Sequence, residues 1–205
     1  VGLKVPNTIC SITLKGILEA AEVLKFPVII KHNRAGMGLG VKLFYSRNEL
    51  KNYIYSDDFE NSIDGITLIQ KYIFSPDNSI IRIEFIDKKF LYAVRVDTTN
   101  GFELCPADEC SFEESKFQII ENFLSQPFAT SLIKKIQELM QNVGIDIAAF
   151  ELIINEKKDF FVYDINVNTN YNSNAENNTS YSGMLSVADF LNRIFRKKIE
   201  KKDFF

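Results

Sequence analysis

The sequence has no tryptophan, a single histidine and only three cysteines in 205 residues. Cys10, Cys105 and Cys110 are an odd number without a C-x-x-C spacing, so they indicate neither a disulfide framework nor a zinc site. The segment from Cys105 to Cys110 could line a substrate pocket or sense redox state, or its thiols could be packed as small hydrophobic side chains. We expect reduced thiols in a cytoplasmic protein.

Long apolar runs and an excess of basic charge are also missing. No run approaches the roughly 18 to 20 residues that cross a bilayer, and the first residues lack the apolar core of a signal peptide. Lysine and arginine total 24 against 27 aspartate and glutamate, which gives a net charge of -3. This balance offers no basic field for nucleic acid or an anionic membrane, so we expect neither as a partner. A homo-oligomer remains open.

Hydrophobic residues make up 46% of the chain, enough for the core of one sizeable domain or two small lobes. The first residue is not Met, and residues 6–8 are typical of a loop entering a helix, so we expect missing sequence upstream. Periodicity predicts a helix and two strands, over residues 14–24, 28–30 and 41–45. Ser46 and Glu49 form a capping box before a further helix, which completes a predicted first lobe of residues 1–65.

The remainder, residues 66–205, is predicted to form a second lobe around a mostly antiparallel sheet. Strands are predicted at 66–69, 79–85, 90–96, 150–154 and 160–165. Helices are predicted at 132–143, where Gly144 ends the helix, and at 187–199. Residues 100–128 show weak periodicity and are predicted to mix loop and helix. The expected fold class is α+β.

A lysine and a glycine-rich segment stand together in the first lobe. Lys31 ends an apolar strand and precedes Gly36, Gly38 and Gly40. Backbone amides approach phosphate oxygens closely where no Cβ intervenes, and a lysine adds positive charge at the same place. A Walker loop is excluded because its lysine follows the glycines, and no helix opens here as in a dinucleotide-binding fingerprint. A tight hairpin is one interpretation, but a strand-loop-strand flap over phosphates fits better.

Acidic and amide side chains meet on the late hairpin. Glu151 lies on its first strand, while Asp164 and Asn166 lie two positions apart on its second strand and therefore share a face. Oxygen ligands of this kind suit Mg²⁺, which takes one or two carboxylates together with phosphate oxygens and water. A solvated acidic sheet edge is the alternative, but Asp164 lies among apolar residues, where an inward charge requires a partner.

These features together resemble the ATP-grasp superfamily, most closely its glutamate-adding and glutathione-synthetase-like carboxylate-amine ligases. Four segments carry the resemblance in the family's order: the entry KVPNT, the phosphate strand and flap VIIKHNRAGMGLGV, the hinge IQKYI and the metal hairpin AFELIINEKKDFFVYDINVN. The resemblance covers nearly the whole chain. It implies an ATP-grasp fold in which two α+β lobes with mostly antiparallel sheets enclose a nucleotide cleft.

The resemblance also implies roles in phosphate binding. Lys31 would bind the α and β phosphates of ATP, and the flap amides from Gly36 to Gly40 would cover the β and γ phosphates. Arg82 and Arg95 would neutralise the γ-phosphate or an acyl phosphate, or they form two ordinary surface ion pairs. Their position on strands that lead into the expected site makes both interpretations testable by structure.

The remaining implied contacts concern adenine, ribose and metal. Gln70, with the backbone of Lys71 and Ile73, would hold adenine, and Asp77 or Asn78 would reach the ribose. The spacing of the hairpin ligands matches the acid, acid and Asn set of the family, so Glu151, Asp164 and Asn166 would hold Mg²⁺, with Mn²⁺ possible. Two departures lie here, because Asp164 replaces the usual Glu and Glu151 replaces the usual Asp.

By this resemblance the reaction is ATP-dependent ligation of a small-molecule or peptide carboxylate to an amine through an acyl phosphate. The chain begins after the family's N-terminal domain and its further nucleotide-binding lysine, so we expect that the isolated chain could be inactive. A regulatory or degenerate ATP-binding module and a ligand-free scaffold are the alternatives. His32 adjoins Lys31, but strand alternation should point it away, which argues against His32 as a catalytic base.

Overall fold

The computed structural model describes residues 1–34, 40–99, 117–177 and 179–202 of the chain. Two antiparallel sheets with helices packed against them make up this part of the molecule, so the predicted α+β class is confirmed. In these ranges, no helix combines the length and apolar character needed to cross a membrane.

The first sheet carries two helices on one face. Its strands are β1 (Thr8–Ser11), β2 (Val28–His32), β3 (Lys42–Phe44) and β4 (Thr67–Lys71), and its helices are α1 (Leu14–Leu24) and α2 (Arg47–Ile54). The spatial order of the strands is β1-β4-β2-β3. The core between the helices and the sheet consists of apolar side chains, among them Ile17, Leu18, Ala21, Val28, Ile30, Leu50, Ile54 and Ile69. The predicted capping box begins α2, with Ser46 and Glu49 each accepting the other's backbone N–H.

The second sheet packs one face against a long helix. Its strands are β5 (Ser79–Ile86), β6 (Lys89–Asp97), β7 (Phe117–Ile119), β8 (Ile147–Ile154) and β9 (Phe160–Asn166), and the helix is α3 (Ala129–Val143). The order β7-β6-β5-β8-β9 places β5 at the centre. The core under α3 contains Ile83, Phe85, Phe150, Leu152, Leu132, Ile136 and Met140. Gly144 ends α3 in a left-handed conformation at φ 73°, as its position in the sequence predicts.

The other face of the second sheet is partly covered by the chain that follows β9. This chain contains α4 (Ser173–Glu176) and α5 (Gly183–Lys202), of which α5 is longer than the predicted 187–199. Within the segment predicted as mixed, residues 117–119 form β7 and residues 123–125 form a short 3-10 helix. Cys105 and Cys110 lie outside the described residues, whereas Cys10 is an exposed free thiol.

Two strands differ from the sequence-based expectation. Residues 6–8 were predicted as a loop entering a helix, but residues 8–11 form β1, because they complete the first sheet by pairing with β4. β4 itself was predicted to open the second lobe, but it pairs with β1 and β2. Local periodicity indicates that a segment is a strand, while its partner is decided by contacts distant in sequence. The sheets therefore do not divide at residue 65.

The chain crosses between the two sheets at two adjacent places. Leu3 packs against the core under α3, and the carbonyl of Lys4 accepts from the N–H of Val162 at 2.9 Å before the chain enters β1. The second crossing follows β4 and leads to β5. The N–H of Lys71 donates to the carbonyl of Asn7 at 2.8 Å and ties the two crossings together.

Candidate functional site

Lys31 of β2 reaches from the first sheet to the second. Its Nζ donates a hydrogen bond of 3.0 Å to the carbonyl of Tyr163 and lies 3.5 Å from Oδ1 of Asp164. The ammonium also lies 5.8 Å from the centre of the Tyr163 ring, and only 14% of the lysine side chain is exposed. The structure therefore brings together the lysine and the acidic hairpin that the sequence analysis singled out separately.

An irregularity in the β8–β9 ladder sets the direction of Asp164. Glu151 pairs with Asp164, but the ladder beyond this pair is displaced by one position, which leaves Tyr163 as an extra residue. In an unbroken ladder Tyr163 would oppose Glu151, and Asp164 would face the core under α3. The displacement places Asp164 on the same face as Glu151, and Asn166 follows two residues later on that face.

Arg82 of β5 joins several polar side chains on this face. Its Nε donates to Glu84 at 2.7 Å and one Nη donates to Glu151 at 3.1 Å. The other Nη donates to the hydroxyl of Thr169, which in turn donates to Glu84 at 2.9 Å. The phenol of Tyr163 donates to Glu151 at 2.8 Å. These contacts form one connected network of Arg82, Glu84, Glu151, Tyr163 and Thr169 on the sheet face that Lys31 contacts.

The charges in this network are held away from water. Burial raises the pKa of Glu84 and of Glu151, although the positive charge of Arg82 opposes the rise in each case. Burial alone would lower the pKa of Arg82, but the two carboxylates outweigh it and the pKa of Arg82 lies above its usual value. A buried cation between two buried carboxylates is costly to remove, because its partners would remain without compensation.

Arg95 and Asp77 pair with each other and not with this network. Arg95 donates to one oxygen of Asp77 at 2.6 Å, while the other oxygen accepts from the hydroxyls of Ser75 and Ser79 at 2.8 Å and 3.0 Å. Arg82 lies opposite the residue that precedes Arg95, so strand alternation turns Arg95 to the other face of the sheet. The structure thus shows a half-exposed ion pair and lends no support to the phosphate and ribose roles predicted for Arg95 and Asp77.

Of the residues predicted to hold adenine, Gln70 lies on the face of Lys31, whereas Lys71 pairs with Val28 and its side chain lies on the other face. Gln70 is buried opposite Ile29 of β2, two positions from Lys31, and its amide donates to the hydroxyl of Thr8 at 3.0 Å. The N–H of Lys71 is already committed to the crossing described above. The backbone of Ile73, in contrast, makes no hydrogen bond within the part of the chain that the structure describes.

Of the predicted flap glycines, Gly36 and Gly38 lie outside the described residues. Gly40 has φ 75°, and a Cβ there would come within 3.0 Å of the ring of His32. The Nε2 of His32 lies 2.9 Å from the carbonyl of Glu60, on the face opposite Lys31, as alternation predicts. Two constraints therefore favour glycine at position 40, the left-handed backbone and the close approach of the His32 ring.

Glu84, Tyr163 and Thr169 belong to the network but were missed in the sequence. Glu84 had a recognisable signal, since it stands two positions after Arg82 in the otherwise apolar run IIRIEFI, and a charge buried in a strand requires a partner on the same face. The roles of Tyr163 and Thr169 follow from the ladder displacement and from a loop, neither of which periodicity reveals.

The candidate metal ligands are two carboxylates and one amide oxygen. Asp164 is half exposed and Glu151 is almost fully buried, and burial together with the charge of Asp164 raises the pKa of Glu151. Such a pair of facing carboxylates is the donor chemistry that a hard divalent cation prefers. Within the described ranges, no group of three or more His, Cys, Asp or Glu side chains is arranged to hold a metal ion. A metal site on this hairpin therefore needs the amide oxygen of Asn166 in addition to the two carboxylates.

The sequence matches a known family over residues 2–180, described as the RimK-like ATP-grasp domain. A curated relative, the alpha-aminoadipate–LysW ligase LysX of Sulfurisphaera tokodaii, is 28% identical over 100 residues, which cover 48% of this chain and 35% of LysX.

Solved structures share the fold. The ATP-grasp ligase PsnB, complexed with minimal precursor, Mg and ADP, superposes with a TM-score of 0.60 at 15% identity, covering 91% of this chain and 53% of PsnB. The D-alanine–D-alanine ligase of Bacillus anthracis, complexed with ATP, gives a TM-score of 0.54 at 17% identity, covering 81% of this chain and 48% of that enzyme. This chain therefore spans only about half the length of these structures.

Proposed function

The chain belongs to the RimK-like ATP-grasp domain family, and on this premise we propose that it is the nucleotide-binding part of a ligase that joins a carboxylate to an amine with MgATP. One observation carries the proposal. Lys31 of the first sheet contacts the carbonyl of Tyr163 and the carboxylate of Asp164 in the second, so a cation from one lobe stands over oxygen ligands from the other.

ATP is proposed to lie between the sheets, with its phosphates at Lys31. Gln70 shares the face of Lys31, and the unused backbone of Ile73 at the crossing can hydrogen-bond the adenine edge. Gly40 lies two residues before β3, the return strand of the proposed phosphate flap, and its left-handed φ favours glycine at this position. A lysine and backbone amides together suit a polyphosphate, because both donate hydrogen bonds and neither carries negative charge.

Glu151, Asp164 and Asn166 are proposed to hold Mg²⁺. They fit the ion because they offer only hard oxygen ligands on one sheet face, with the two carboxylates directly opposite each other. Bound there, Mg²⁺ would supply positive charge against the phosphate oxygens. Arg82 fixes the orientation of Glu151 from below, and the Tyr163 phenol fixes its second oxygen.

The proposed reaction needs no nucleophilic side chain. A substrate carboxylate oxygen takes the γ-phosphoryl group and ADP leaves, after which an amine nitrogen forms a bond to the acyl carbon as the acyl C–O bond breaks. Inorganic phosphate departs and the nitrogen loses a proton. Lys31 and Arg82 would stabilise the negative charge, and the two lobes would hold the reactants in place, which is the main protein contribution in phosphoryl transfer.

The substrates proposed are a small-molecule or peptide carboxylate and an amine. The names of LysX and of the D-alanine–D-alanine ligase each describe joining of an amino acid to a second substrate, and PsnB was solved with a precursor.

The test is ADP release by the complete natural protein with MgATP and pools of amino acids and dipeptides, in the wild type, in Lys31→Met and in Lys15→Met. Lys15 is a matched control because it is an exposed lysine of α1. We expect carboxylate-dependent ADP release that only Lys31→Met abolishes. ATP binding by calorimetry without such ADP release would support the regulatory module instead. The absence of both ATP binding and ADP release would contradict the proposal.

A further inference from the structure

The chain after β9 is anchored to the second sheet at two points beside Arg82. The hydroxyl of Thr169 donates to Glu84, and the phenol of Tyr92 donates to Glu176 of α4 at 2.6 Å. Glu84 and Tyr92 lie directly opposite each other in the β5–β6 ladder. The segment 169–176 is therefore held across the same sheet face as Arg82, at neighbouring positions of adjacent strands.

Tyr171 lies between these anchors with an unused hydroxyl. Its phenolic oxygen is buried and has no hydrogen-bond partner among the described residues. Its ring packs tightly on Gly183, where a Cβ would come within 2.2 Å of ring atoms. A buried hydroxyl without a partner costs free energy, so a side chain held this firmly in such a position indicates a partner supplied by a ligand.

The charges around this hydroxyl favour a cationic ligand. Arg82 compensates Glu84 at 2.7 Å, but Glu176 makes no ion pair within the described ranges, and its Oε1 accepts only from neutral donors, the phenol of Tyr92 and the N–H of Gly183. Burial and the negative charge of Glu84 raise the pKa of Tyr171 to about 12, so the phenol itself stays neutral. Tyr92 and Tyr181 pack in the same cluster as Tyr171, and the faces of aromatic rings attract cations.

We propose that Tyr171 and Glu176 bind the ammonium group of the amine substrate. Tyr171 Oη and the second oxygen of Glu176 accept its N–H donors, while Tyr92 and Gly183 hold Glu176 in place. The inference rests on the proposed ligase function. It assigns the anionic and the cationic groups of the substrates to different parts of this sheet face. Lys31 and Arg82 serve the anionic phosphate side, and the tyrosines with Glu176 serve the amine side.

The binding test uses n-butylammonium as a probe, with 1-butanol as its neutral counterpart, in saturation-transfer NMR with MgAMP-PNP present. We expect transfer from the wild type to n-butylammonium that exceeds transfer to 1-butanol, and loss of this difference in Tyr171→Phe and Glu176→Gln. Tyr55→Phe and Glu19→Gln are matched controls, because both residues are exposed on the first lobe. Equal transfer to both probes in the wild type would overturn the proposal.

The kinetic test uses the carboxylate that gives the most ADP release. For n-butylamine as acceptor, we expect the KM to rise at least about tenfold in both variants, as for a lost charge-assisted hydrogen bond, with the KM for ATP unchanged. Hydroxylamine, a small neutral acceptor, should still trap the acyl phosphate at the wild-type rate. An unchanged amine KM, or an equal loss with hydroxylamine, would contradict the amine site. A wild type that binds n-butylammonium but releases no ADP would refute only the ligase proposal.

Discussion

Asp164 lies directly opposite Glu151 because the ladder between their strands carries one extra residue, Tyr163. The same residue offers its carbonyl to Lys31 and its phenol to Glu151. A single backbone irregularity thus orients both carboxylates and the lysine that faces them, in keeping with the enrichment of such bulges beside functional sites.

Asp164→Asn should weaken MgATP binding much more than binding of ATP without metal. The change keeps the size of the side chain but removes one of the two facing charges, so we expect a loss of at least about tenfold with Mg²⁺ by isothermal titration calorimetry. Titration in EDTA should show little difference from the wild type. Asp57→Asn, on the loop before β4, is the control, and an equal loss with and without Mg²⁺ would exclude Asp164 as a metal ligand.

Arg82→Met should destabilise the fold by about 3 to 5 kcal/mol, because it leaves Glu84 and Glu151 buried without their cation. Urea unfolding at neutral pH measures the change. The control is Arg47→Met, which breaks the exposed pair with Glu22 and should cost only about 0.2 to 1 kcal/mol. Similar losses in the two variants would show that the buried network contributes no more than a surface pair.

Gly40→Ala should destabilise the chain by about 1 to 2 kcal/mol, because φ is 75° and the added methyl group meets the ring of His32. The double variant Gly40→Ala with His32→Ala removes the steric part and should recover only a fraction of the loss. Chemical denaturation of Gly40→Ala, of His32→Ala and of the double variant separates the steric contribution from the backbone contribution. Full recovery in the double variant would mean that backbone strain contributes nothing.

Asp64 should make the first lobe sensitive to acid. The hydrogen bond from Ser62 has the largest effect on Asp64, followed by those from Asn33 and from the N–H of Ile66. Together they lower the pKa of Asp64 from 3.8 to about 2. Because the folded pKa lies below the unfolded value, its contribution is complete above pH 3.8 and is lost as pH falls toward 2. The difference in Tm between wild type and Asp64→Asn should therefore shrink over this window, and a constant difference would contradict it.

The helices were predictable because their signals are local. The capping box at Ser46 and Glu49 and the stop at Gly144 are both present in the structure. Pairing partners were not predictable, since the placement of β4 and the face of Arg95 depend on registers set between distant segments. The direction of Asp164 is a similar case, because simple alternation along the strand does not reveal the displaced ladder.

The two clusters of the candidate site, and their meeting at one nucleotide cleft, were anticipated from the sequence, whereas the buried network around Arg82 was not. Lys31 and the hairpin acids were chosen for their chemistry, while Glu84 and Thr169 entered only through contacts seen in the fold. Tyr171 carries no sequence signal, since an unsatisfied hydroxyl is a property of packing.

The paired crossings at Asn7 and Lys71 connect the two sheets through two chain segments that are joined by a backbone hydrogen bond. Any displacement of one sheet relative to the other is therefore restrained by two covalent connections and not by a single linker. A protease cut just after β4 would therefore leave the two sheets covalently connected through the first crossing.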